Sequence, residues 1–114
     1  MRLWFITADE WVFTEPLKAV KGFKGDTLEI SCEVNDENAE VEWVKHGKVL
    51  KPSEKYELIS DGTKRTLIIK EVVPVDGARY TCQLPKDKTA AGVDVQSKLI
   101  LNLILLKGFF TINL

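Results

Sequence analysis

The sequence predicts an all-β fold, a sandwich of short strands. Three observations carry that expectation. Apolar residues alternate with polar ones in several short runs. Turn signals separate those runs at regular intervals, with no stretch of helical period between them. Cys32, Trp43, Tyr80 and Cys82 then place large or apolar side chains on those runs, as a buried core requires.

The clearest run is Asp26 to Val34, where Leu28, Ile30, Cys32 and Val34 alternate with Thr27, Glu29, Ser31 and Glu33. Successive side chains of a strand point to opposite faces, so one side of this strand is buried and its acidic side meets water. Glu40 to Lys45 repeats the pattern, with Val41 and Trp43 inward. His46-Gly47 marks a turn, and Lys48 to Leu50 begins a short strand that stops before Pro52-Ser53. Lys55 to Ile59 and Lys64 to Lys70 flank Ser60-Asp61-Gly62-Thr63. Asp-Gly between two β-rich runs is a hairpin signal, because glycine takes positive φ at little cost. Arg79 to Leu84 alternates again, with Tyr80, Cys82 and Leu84 inward, and Pro85 to Lys88 is a polar turn. Ala91 to Gln96 returns as the last strand.

At 114 residues, 45% hydrophobic and 29% charged, the chain has the size and mixture of one globular domain. A net charge of -1 argues against nucleic acid or an anionic membrane as partner, since both demand a basic surface. The apolar stretch Leu99 to Leu106 is far shorter than the roughly twenty residues a membrane-spanning helix needs. The apolar run after Arg2 is likewise too short for a secretory leader. No Asn-x-Ser/Thr sequon occurs, which leans away from the secretory route. Cys32 and Cys82 lie fifty positions apart, unlike the close pairs of zinc or thioredoxin-type sites. The spacing suits either one long-range bridge or two buried thiols that face each other.

A Cys on an early strand, Trp43 eleven positions later and Tyr80-x-Cys82 late in the chain form one packing set, led into by Leu67, Ile69, Val72 and Asp76. With it stand Phe13-Thr14-Glu15-Pro16-Leu17, Glu42-Trp43-Val44-Lys45-His46-Gly47-Lys48, Lys55-Tyr56-Glu57-Leu58 and Asp61-Gly62-Thr63-Lys64-Arg65-Thr66-Leu67-Ile68-Ile69. On these residues, positions 11 to 97 resemble the intermediate-set (I-set) immunoglobulin family, and above all the intracellular domains of giant muscle proteins such as titin, obscurin and twitchin. One departure is Gly77-Ala78, where Ser/Ala-Gly is usual before the Tyr. The resemblance implies an immunoglobulin-like I-set β-sandwich, two antiparallel sheets joined in Greek-key order, with a structural core of Cys32, Trp43, Leu67, Tyr80 and Cys82. It implies a cytoplasmic module of sarcomeric or cytoskeletal filaments that bears load and docks other proteins through its sheet edges. An extracellular adhesion or receptor domain is the alternative; it would need the disulfide, and usually glycans and a leader.

Nothing in the sequence points to catalysis, a cofactor or a metal. His46 is the only histidine and stands in a turn without a second ligand or a nucleophile beside it. Residues 26 to 42 hold seven acidic side chains and no basic ones. Asp36, Glu37 and Glu40 among them lack the ordered loop of a calcium site and read as a solvated polar surface. The expected organisation is an N-terminal extension over 1–10, the domain over 11–97 and an apolar extension over 98–114. Leu, Ile and Phe in that last segment are the wrong composition for a solvated tail.

Overall fold

A computed structural model describes residues 8–97; the expectations for Leu3 to Phe5 and for 98–114 lie outside the described residues. Among the described residues, one four-stranded and one five-stranded sheet pack face to face. The first holds β1 (Phe13–Glu15), β3 (Leu28–Val34), β7 (Lys64–Ile69) and β6 (Tyr56–Asp61), in that spatial order. The second holds β2 (Val20–Phe23), β9 (Lys88–Gln96), β8 (Ala78–Gln83), β4 (Glu42–Lys45) and β5 (Lys48–Val49).

The alternation in the sequence becomes burial. Along β3, Ile30, Cys32 and Val34 are buried while Glu29 and Glu33 are exposed. Leu67 and Ile69 of β7 and Ala91, Val93 and Val95 of β9 supply the facing layers of one core with Trp43, Tyr80 and Cys82. A smaller cluster of Val34, Ala39 and Leu84, flanked by Trp11, Phe13 and Val41, closes one end.

Turns sit where residues of positive φ allow them. His46 and Gly47, at φ 52 and 77, form the tight β4–β5 turn, and Gly62, at φ 57, the β6–β7 turn. The sequence reading found no strands before Asp26, yet β1 and β2 both exist, three and four residues long. Each is too short to show a period of two. Pro16, lacking an N–H, interrupts the ladder, and the chain crosses there from β1 in one sheet to β2 in the other. Leu17, buried at the crossing, donates its N–H to Thr89 Oγ1 at 3.1 Å. The last strand begins at Lys88, three residues ahead of the expected start, because the β8–β9 register runs to Gln83↔Lys88. A 3-10 turn over Pro74–Asp76 carries the chain from β7 across to β8.

Candidate partner-binding surfaces

Cys32, Trp43, Leu67, Tyr80 and Cys82 all lie in the central cluster. Trp43 and Cys82 are cross-strand neighbours on β4 and β8, and Cys32 approaches from β3 of the opposite sheet. The two cysteines are buried free thiols. The neighbouring Cys32 and burial together push the Cys82 thiol up. Cys32, beside Cys82 and near the Arg65 guanidinium, is the more acidic of the two.

Tyr80 donates its hydroxyl to the Asp76 carbonyl at 2.7 Å. Burial, the neighbouring Tyr56 and Asp76 hold its hydroxyl above the usual phenol range. The Asp76 carboxylate accepts from Val73 N at 2.8 Å and from Lys55 Nζ at 2.6 Å, with Lys45 Nζ at 4.0 Å. Lys45 also lies 5.7 Å from the Tyr80 ring centroid, within cation–π reach. The 3-10 turn, β4 and the β5–β6 connection are thereby pinned around one buried carboxylate.

Sequence reasoning missed Arg65, which is 2% exposed. Its guanidinium donates to the carbonyls of Gly62, Lys64, Glu37 and Ala39 at 2.6–3.0 Å. A buried cation held by backbone carbonyls ties the β3–β4 loop to the β6–β7 turn. The signal lay in the two-residue step from Leu67 to Arg65 on one strand face, where periodicity demanded an inward side chain.

The exposed geometry offers four sheet edges, β1 and β6 in one sheet, β2 and β5 in the other. Strand β6 is the longest of these, with exposed Ile59 along it. Beside the β8–β9 turn lies an open groove of about 960 Å³, lined by Glu40, Val41, Glu42, Leu84, Pro85 and Lys86 among others. Asp36 serves the β3–β4 loop itself, accepting from Trp11 Nε1 and Asn38 N. Among the described residues no group of three His, Cys, Asp or Glu is placed to hold a metal ion. No described helix is long and apolar enough to cross a membrane.

Strand β2 runs parallel to β9, pairing Val20↔Val93, Lys21↔Asp94, Gly22↔Val95 and Phe23↔Gln96. Lys24 N adds a 2.7 Å hydrogen bond to Gln96 O at the end of that ladder. In a parallel pair the start of one strand and the end of the other lie at opposite ends of the ladder.

Residues 11–96 match the family described as Immunoglobulin I-set domain. The cardiac-type myosin-binding protein C of Gallus gallus is 35% identical over 96 residues, which covers 82% of this chain and 8% of that protein. The crystal structure of domain I10 from titin superposes with a TM-score of 0.72 at 28% identity, covering 75% of this chain and 98% of that one. A chain of the complex between titin M10 and obscurin like 1 Ig superposes with a TM-score of 0.72 at 27% identity, covering 76% and 94%.

Proposed function

The chain belongs to the immunoglobulin I-set family, and on that premise we propose that it is a non-catalytic structural and protein-binding module of a sarcomeric filament protein. The observation that carries the reading is its similarity to domains of myosin-binding protein C and titin, both muscle proteins. The chain spans only 8% of the myosin-binding protein's length, as one module of a longer filament does.

The load-bearing part of the reading is supported by the parallel β2–β9 ladder, whose hydrogen bonds a pull on β2 against β9 would load in shear. Partner docking draws on the sheet edges, whose free N–H and C=O groups accept an added strand. Strand β6 is the best suited, being six residues long with exposed Ile59. Cytoplasmic placement agrees with two thiols that fill the core as they stand.

The test is expression of the fluorescently tagged chain in striated muscle cells. Periodic bands in register with the sarcomere are expected. Uniform fluorescence with no periodicity would count against sarcomeric docking.

A further inference from the structure

We propose that the outer face of the five-stranded sheet is self-complementary, so that two copies of this chain pair face to face about a twofold axis. Trp43 points into the core, so Val44 points out. The register then places Val49, Val44, Thr81 and Ala90 side by side in one outward row across β5, β4, β8 and β9. Val49 is 46% exposed. Gly92, two residues beyond Ala90, keeps the face open, since a side chain there would meet nothing within 4 Å.

The neighbouring row is Glu42–Gln83–Lys88, with Gln83 Nε2 donating to Glu42 Oε1 at 3.1 Å. On the other side of the apolar row stand Arg79, opposite Gly92, and Asp94, with exposed Lys21 of β2 beside Asp94. Among the described residues, ion pairs join Lys45 and Lys55 to Asp76, and Lys70 to Glu57. None reaches Glu42, Arg79, Lys88 or Asp94.

Glu42 and Lys88, of opposite charge, thus occupy mirror-related places about β8. A twofold axis parallel to the strands and lying over β8 exchanges the β4 side with the β9 side at constant height. Glu42 of one copy then lies over Lys88 of the second, and Lys88 over Glu42. Val44 meets Ala90, and Thr81 meets Thr81. Arg79, also on β8, meets Arg79 of the second copy at the axis, and the Asp94 carboxylates of the two copies, two residues further along β9, flank that pair and offset its charge. Packed sheets cross at about 30°. Side chains one strand spacing, about 5 Å, from the axis shift by about 2.5 Å at that angle, well within the reach of Glu and Lys. An isologous contact demands this self-complementarity, whereas an unrelated partner would not. The face is small for a stable interface, so the pairing is weak and reversible. It needs only the folded sandwich and is independent of which filament carries the domain.

The test is sedimentation of the full chain over a concentration series from micromolar to millimolar. Mass should rise from monomer toward dimer, and Glu42→Lys or Lys88→Glu should each weaken association at least about tenfold by placing like charges opposite each other. The double variant Glu42→Lys/Lys88→Glu should restore it, because the exchanged charges meet again. Both positions are exposed, so melting curves should stay near wild type. A monomer at every concentration overturns the proposal, as does association indifferent to either reversal or a double variant no better than the singles. Concentration-dependent amide shifts in the wild-type chain give a second readout. Confinement to β4, β8 and β9 supports the pairing; confinement to any other surface overturns it.

Discussion

Tyr80 hydrogen-bonds the carbonyl of Asp76, four residues earlier in its own chain, across 2.7 Å. One side chain thereby closes the corner between the 3-10 turn and β8, while its ring, 0% exposed, fills the core. The carboxylate of the same Asp76 faces the other way and collects Val73 N and Lys55. The corner is thus held from both sides of one residue.

Tyr80→Phe keeps the ring and removes the donor, so the cost is that of one buried hydrogen bond, about 1–3 kcal/mol. Urea unfolding measures it. The hydroxyl's pKa is raised in the fold, above the unfolded value of about 10. The fold therefore favours the neutral phenol. That contribution is complete below pH about 10 and is lost as pH rises from there toward the folded value. Stability should fall above pH about 10 more steeply in the wild type than in Tyr80→Phe.

Arg65→Lys should destabilise by about 2–3 kcal/mol although charge is conserved. A single ammonium cannot span the carbonyls of Gly62 on one loop and Glu37 and Ala39 on another. Thermal unfolding measures the loss, and hydrogen exchange should rise first in the β3–β4 loop. A lysine variant as stable as the wild type would show that the guanidinium fork is dispensable.

Much of the sandwich was legible in the sequence wherever a strand was long enough to show its period. Strands β3 and β8, seven and six residues long, each with a cysteine, announced themselves. So did the β6–β7 hairpin through Asp61-Gly62. Strands β1 and β2 were not legible, since three or four residues contain barely one alternation and their pairing depends on distant partners. Arg65 was hidden for a related reason. A charged side chain is expected in water, and only the carbonyls of a loop some 26 residues away in sequence make its burial acceptable. The surface row Val49–Val44–Thr81–Ala90 could not be read at all, because it exists only once four strands are in register.

Cys32→Ser/Cys82→Ser in reducing buffer should unfold in one cooperative transition, with stability lowered by about 2–4 kcal/mol. Two buried hydroxyls replace two weakly polar thiols and remain within reach of each other. Equilibrium denaturation of both proteins measures it. A wild-type chain that itself fails to fold once reduced would mean that the sandwich depends on a bridge between these residues, as an extracellular domain would.

The load-bearing reading is tested most directly by stretching single chains between their ends. Lys24→Pro removes the exposed N–H that donates to Gln96 O at the end of the β2–β9 ladder and leaves the core untouched. The wild-type domain should rupture in one step at a well-defined force. The proline variant should rupture at clearly lower force, with a melting temperature close to that of the wild type. An unchanged rupture force in a folded Lys24→Pro domain would show that the terminal strands are not where the domain resists tension.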